Sequence, residues 1–334
     1  MQATQHPNIR LRDPGELIAA VPHILGYRPA ESVVICVHAG KNGKQITVCA
    51  RTDLPPPNHH WDVAEQLKHL MTRAKAKAVS VIIVGEAEET PPPLPHLTFV
   101  QAIATVFTSA GLTINHAMWT STIRHGADWH CYDDVGCKGL LPDPNGTELA
   151  AAAAVDGMIT YESRADLRRS LEPATPRVLK RRERRIREAL DQRPDEGHAV
   201  KLVEDVFADL AEGRFTLDDD RVVDLAVALS HRKARDACLR PDRLTQGSKA
   251  QQMWTDLTRE MPSPYRAEPA CLLALCAFVR GNGVVAGIAL EIAQEAVPDH
   301  VVAGLVRTVM DVGMTPKDLI KGLAAAAAKE THDS

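Results

Sequence analysis

Residues 79–85 read VSVIIVG, a continuous β-branched run of the kind expected of a central strand buried on both faces. Working back from it, WDVAEQLKHLMTRAKAK (61–77) has apolar residues at 63, 67, 70, 71 and 74, a helical spacing. Before that helix, SVVICV (32–37) and QITVCAR (45–51) flank HAGKNGK (38–44), a loop rich in Gly and Asn. The pair predicts an antiparallel hairpin turning near residues 41–42, with Ser32 roughly opposite Arg51. DPGELIAAVPHIL (13–25) predicts an opening helix with Asp13 as N-cap, Pro14 at the first helical position and a stop at Gly26.

Forward of the central run, a helix over about residues 97–110 leads to a strand at LTINHAMW (112–119). IRHGADWHCY (123–132) alternates as an edge or half-buried strand does. The order β-β-α-β-α-β-β predicts a mixed sheet covered by helices, its strand–helix–strand steps joining parallel neighbours by right-handed crossovers.

From residue 147 strand patterns stop, so the expected fold class is α/β followed by all-α, with domains at 1–146 and 147–330. LLALCAFVRGNGVVAGIALEIAQEAVPDHVVAGLVRTVMDVGMTP (272–316) reads as three helices, the first ending at Gly281–Gly283, the second before Pro298, the third near Gly313. Ala286, Ala289 and Ala293 are small residues at close-packing spacing, the pattern of a tetratricopeptide-like hairpin, although stacking arrays of that kind need about three units. Residues 176–193 predict a basic amphipathic helix between the halves, with Leu179, Ile186 and Leu190 as its apolar stripe and Arg181, Arg182, Arg184, Arg185 and Arg187 directed elsewhere.

The 334 residues are 45% hydrophobic and 25% charged, enough for two cores built from aliphatic residues, since aromatics are only 4%. A formal charge of −4 points to neither a polyanion binder nor an acidic tail. No charged-then-apolar leader opens the chain and no uncharged apolar run reaches 18 residues, so a soluble cytoplasmic protein is expected. Seven cysteines, mostly in apolar settings, are expected as buried reduced thiols without a disulfide framework.

Several chemistries find no support. After the central strand comes GEAEETPPPLP (85–95), whose three Glu would repel phosphate and whose four Pro supply no amide donors. His125, His130, Cys131 and Cys137 lack the doubled short spacing of a zinc site, so neither metal nor cofactor is expected. Ten of the fourteen histidines lie within residues 1–130, without a ligand pattern. The basic helix has acids interleaved (Glu183, Glu188) and no aromatics for base stacking, which disfavours nucleic acid as a partner.

Topology supplies one candidate address. In open α/β sheets ligands bind beyond the carboxyl ends of parallel strands. Those ends fall near Arg51–Asp53, Gly85–Glu86 and Trp119–Ser121, with the start of the first strand, Glu31–Ser32, on the same edge. Arg28, Glu31, Ser32, Arg51, Asp53 and Glu86 are therefore the expected ligand-binding residues, a carboxylate cluster with Arg and Ser able to hold a polar substrate or a divalent cation. The competing account is that Arg51 and Asp53 close the strand ends and tie the Gly26–Pro29 turn to the sheet.

LRDPGELIAAVPHILGYRPAESVVIC (11–36), ARTDLPP (50–56), YESRADLRRSLEP (161–173) and residues 278–316 occur in an order that resembles the actinobacterial family called domain of unknown function 4192. By that resemblance Pro22, Leu25, Gly26, Pro29, Ser32, Arg51, Asp53, Leu54, Pro55, Gly281 and Gly283 match family positions. Phe278 departs from the pattern, where Trp is expected, and Cys131–Cys137 resembles a degraded form of a stretch that often carries adjacent cysteines. The resemblance implies an organisation and a bacterial cytoplasm, not a reaction. Three functions stay open: a non-catalytic binding or adaptor protein with a protein partner on the helical half; an enzyme, hydrolase or transferase, using Asp53, Glu31 or Glu86 with Arg51; and, least favoured, a nucleic-acid binder.

Overall fold

The computed structural model describes residues 13–39, 45–86, 93–155, 157–192 and 195–330. The described residues fall into two compact units, divided between Leu167 and Arg168. The first is α/β. Helix α1 (Pro14–Leu25) begins where Asp13 accepts the Glu16 N–H at 2.9 Å and ends at Gly26, whose φ of 78° is the left-handed value glycine adopts freely. There follow β1 (Ser32–Ala39), β2 (Gln45–Asp53), α2 (His60–Arg73), β3 (Ala78–Val84), α3 (Leu97–Ser109), β4 (Thr113–Thr120), β5 (Asp128–Cys131) and β6 (Lys138–Leu140). Helix α4 (Glu148–Val155) belongs to this unit, so residue 147 lies inside it, and the division falls within α5 (Arg164–Arg169).

The six strands form one mixed sheet in the order β2-β1-β3-β4-β5-β6. β3 and β4 are the parallel neighbours expected across α3. β2 and β3 also run alike, but they are not neighbours: β1 lies between them, antiparallel to both. The hairpin explains why, because β1 keeps β2 on one side and offers its other edge to β3. Residues 40–44, which hold the expected turn, lie outside the described residues. The ladder pairs Ser32 with Asp53 and Val34 with Arg51, not Ser32 with Arg51. Between Val37 and His38 the register shifts and Thr47 is left without a partner, which displaces β2 against β1. β6 was not evident in the sequence, since Lys-Gly-Leu is too short to show a period.

β3 is buried from Val79 to Val84, as its composition predicts. On one face Val33, Ile35, Val81, Ile83 and Trp119 pack with Leu67 and Met71 of α2 and Phe99, Ile103 and Phe107 of α3. The alternate residues Val34, Cys36, Ile82 and Met118 are buried too. Cys131 and Cys137 are joined by a disulfide, contrary to the expectation of reduced thiols throughout. The β5–β6 hairpin brings them together: the Cys131 N–H donates to the Cys137 carbonyl at 2.8 Å, and their Cα atoms stand 5.4 Å apart.

The second unit holds α6 (Pro176–Asp191), α7 (Glu196–Glu212), α8 (Asp219–Ala228), α9 (Arg232–Cys238), α10 (Pro241–Leu244), α11 (Ser248–Glu260), α12 (Ala267–Val279), α13 (Gly283–Ala296), α14 (Val301–Asp311) and α15 (Pro316–Glu330). α12 and α13 pack together, with Ala286, Ala289 and Ala293 fully buried. In α6 the inward residues are Arg182 and Ile186, so Arg182 does not point away with the other arginines. One turn before Ile186, it shares that buried stripe, and acids meet it there. Among the described residues no helix is long and apolar enough to cross a membrane.

Candidate functional site

The expected rim exists. Ser32, at the start of β1, pairs with Asp53 at the end of β2 and with Val84 at the end of β3, and Val84 pairs with Thr120 at the end of β4. Glu31 stands just before β1 with φ 43°, a left-handed backbone that is uncommon for a residue with a side chain. Its carbonyl accepts the Leu54 N–H at 3.0 Å and its Oε1 accepts the Glu86 N–H at 2.9 Å. One residue thus ties together the exits of β2 and β3.

Arg51 and Ser32 are engaged inside the protein. Arg51 Nε donates to Ser32 Oγ at 2.8 Å and Nη2 to the Ala30 carbonyl at 3.4 Å, and the guanidinium pairs with Asp53 at 2.6 Å. Ser32 Oγ, wholly buried, donates in turn to the Ala30 carbonyl at 2.5 Å. These bonds fasten the turn before β1 to β2, as the competing account holds. The Asp53 side chain is 82% exposed, and Glu86 is exposed. Arg28 goes elsewhere: it donates to the Ile123 carbonyl beyond β4 and pairs with Glu162 at 3.4 Å, while Arg124 holds the other Glu162 oxygen at 2.9 Å. Five of the six residues therefore share the rim, and Arg28 serves the segment after β4.

A residue that the sequence did not single out completes the rim. His96 precedes α3 with φ 58°, again left-handed. The Tyr132 hydroxyl donates to the Pro95 carbonyl at 2.6 Å and holds the approach to it. Gly85 is pinned between strands: its N–H donates to the Thr120 carbonyl at 3.2 Å and its carbonyl accepts Trp119 Nε1–H at 3.1 Å. The space where a Gly85 Cβ would stand has Leu54 Cδ1 at 2.9 Å, His96 Nε2 at 3.3 Å and Glu31 Oε2 at 3.4 Å. The imidazole and the carboxylate thus converge on the one rim position without a side chain.

Burial lowers the pKa of His96; the Glu31 carboxylate acts against that and His60 adds to it. His60, buried behind the site, lies 5.0 Å from the Phe99 ring and bonds Thr98 Oγ1 through Nδ1 at 3.3 Å. The result is an imidazole held toward its neutral form near a carboxylate, both open to hydrogen-bonding. The histidine enrichment before residue 130 was the available signal for His96. It carried no spacing, because Glu31 and His96, 65 residues apart, are brought to Gly85 by the sheet.

The basic helix is accounted for within the second unit. Arg182 meets Asp219 at 2.7 Å and also pairs with Glu260; Arg181 pairs with Asp219, and Arg185 with Asp220 at 2.5 Å. Arg187 and Arg184 pair along the helix with Glu183 and Glu188. α6 packs beside α8, and its arginines reach the acids at the start of that helix.

The architecture and rim define a chain with a mixed-sheet α/β unit followed by a helical one, its polar rim at the carboxyl ends of the parallel strands. No curated protein and no solved structure matches the chain. The chain belongs to the family described as Domain of unknown function (DUF4192), whose model matches residues 14–317, nearly its whole length.

Proposed function

We propose that this is a non-catalytic binding protein whose sheet unit takes a small polar ligand at the Glu31–His96 rim. The observation that carries the reading is the convergence of two left-handed, non-glycine residues on Gly85. Backbone of that kind is retained where the surrounding structure holds it, and it clusters at ligand sites. Arg51 is engaged by Ser32, Ala30 and Asp53, which leaves the Glu31 carboxylate as the charge nearest the imidazole, with Glu86 exposed on the same edge. That set suits a ligand with hydroxyl or ammonium donors better than an anion.

The test is a thermal-shift screen of the full chain against amines, amino acids and polyols, with carboxylates and phosphates as contrasts. A donor-bearing compound should raise the melting temperature of the wild type and not that of Glu31→Gln, whose melting temperature without ligand should be unchanged. Stabilisation by anions alone, or a hit that survives Glu31→Gln, would sink the reading.

A second reading, an enzyme, is favoured by the same pair, since a neutral imidazole near a carboxylate can accept a proton. It requires that the bound compound turn over and that His96→Ala stop the turnover while binding persists. For a protein partner we favour the helical unit, where Val301 and Leu305, one turn apart on α14, are 73% and 61% exposed. The paired arginines of α6 speak against nucleic acid; the five free thiols favour a reducing cytoplasm, and the Cys131–Cys137 bridge counts the other way.

A further inference from the structure

We infer that Cys36 and Cys49 are an oxidation site, a dithiol that closes to a disulfide across β1 and β2. The two residues face each other directly in the antiparallel ladder, and their sulfurs stand 2.7 Å apart, inside van der Waals contact. Directly opposed residues on antiparallel strands lie at Cα separations that a disulfide spans without backbone movement. Access is one-sided: Cys36 is buried, whereas Cys49 is partly exposed on β2, an edge strand of the sheet. The hydrogen bond to Cys36, with burial, raises the Cys49 pKa well above the ordinary thiol value, so its thiolate forms only at alkaline pH. Burial likewise pushes Cys238 and Cys276 up to about 12 and Cys271 up as well. What sets Cys49 apart from these three buried thiols is its partial exposure and its contact with a second sulfur. This inference stands apart from the rim reading, although the strands involved end at Ser32, Arg51 and Asp53.

The oxidant class is a peroxide. The Cys49 thiolate attacks one oxygen of hydrogen peroxide; the O–O bond breaks, hydroxide leaves, and Cys49 becomes a sulfenic acid. Cys36 sulfur then attacks that sulfur; the S–S bond forms, the S–O bond breaks, and the second oxygen leaves as hydroxide. The two thiol protons convert both hydroxides to water, so two thiols and one peroxide give one disulfide and two waters. The sulfurs give up two electrons and the peroxide takes them. Cys36 needs no rearrangement to act as the resolving thiol, because it already touches Cys49.

The experiment uses the full chain carrying Cys131→Ser and Cys137→Ser, which removes the existing bridge from the readout. Protein reduced, desalted and treated with hydrogen peroxide over a series of rising alkaline pH values, which draws out the Cys49 thiolate, is returned to neutral pH, blocked with a maleimide, digested and mapped by mass spectrometry. A peptide pair linked through Cys36 and Cys49 is expected, absent from Cys36→Ala and Cys49→Ala. Because the bond closes a short loop, the melting temperature should rise by roughly 5–10 °C and return when dithiothreitol is added. Purification of the linked form without added oxidant supports the same conclusion. Cys49 found only as sulfinic or sulfonic acid, or both thiols still alkylated after unfolding, would overturn it. Should the Cys131/Cys137 variant not fold, the wild-type chain and the same peptide map keep the test decisive, since the two bridges lie in different peptides.

Discussion

Arg51 in the sheet unit and Arg182 in the helical unit invite comparison, because each was assigned a role from sequence that its neighbours then qualified. Arg51 marks the rim, yet its guanidinium is used mainly to fasten the turn at Ala30 to β2 through Ser32. Arg182, one of a run of arginines, looks like part of a solvated face but is 7% exposed and bridges α6 to Asp219 and Glu260. The sheet unit satisfies its arginine within the rim, with a hydroxyl, one backbone carbonyl and the exposed Asp53 two residues on; the helical unit satisfies its own with acids, and one carbonyl, on other helices. A charged side chain is thus a surface feature or a structural strut according to what meets it, and that is set by packing.

The sharpest way to break this comparison is at Arg182. Arg182→Ala should destabilise the helical unit by about 2–4 kcal/mol, less than a fully buried pair because Asp219 and Glu260 remain about one-third exposed. Arg184→Ala, on the exposed face, should stay within about 0.5 kcal/mol. Equal losses in denaturant titrations of the two variants would show that Arg182 is no strut.

Next comes Gly85→Ala, which places a methyl group 2.9 Å from Leu54 Cδ1 and 3.3 Å from His96 Nε2. It should cost about 1–3 kcal/mol and abolish any ligand-dependent rise in melting temperature. A variant that keeps full ligand stabilisation would remove Gly85 from the site.

The smallest effect separates the units by pH. The pKa of His96, and that of His23, which bonds Thr160 and the Pro144 carbonyl, is lowered mainly by burial. A base with a depressed folded pKa contributes stability above its ordinary value of 6.5, and that contribution is lost as pH falls through the lower, folded value. Asp219 is depressed chiefly by its bond to Arg182, so its contribution is present above 3.8 and is lost only below that. The sheet unit should therefore weaken first on acidification, as pH falls from the ordinary imidazole value of 6.5 through the lower value in the folded state. Trp254 reports the helical unit and Trp61, Trp119 and Trp129 the sheet unit, so fluorescence of wild type and Trp254→Phe follows each separately. Loss of the Trp254 signal at the higher pH would reverse the assignment.

Legibility followed the range of the interaction. Asp13, Pro14 and Gly26 bound α1 through contacts within a few residues, and all three act as their types predict. The shared edge of β1, β2 and β3 could also be read, because alternation of strand and helix constrains direction. The register could not: Thr47 drops out of the ladder, and nothing local marks it. Nor could His96, whose meaning depends on Gly85 and Glu31 reaching it from other segments. The Cys131–Cys137 bridge escaped for a related reason, since Lys138–Leu140 forms a strand only against β5.

By itself, then, the sequence determined where helices and strands begin, that the chain opens as a mixed sheet and continues as helices, and which edge of the sheet gathers polar residues. Propensity, capping and apolar periodicity act over a few residues and leave their mark in the order of the letters. The tertiary structure alone decided that β1 lies between β2 and β3, that Arg182 is buried, and that Glu31 and His96 meet at Gly85. Those outcomes depend on which surfaces exclude water from each other, a property of segments brought together from far apart in the chain.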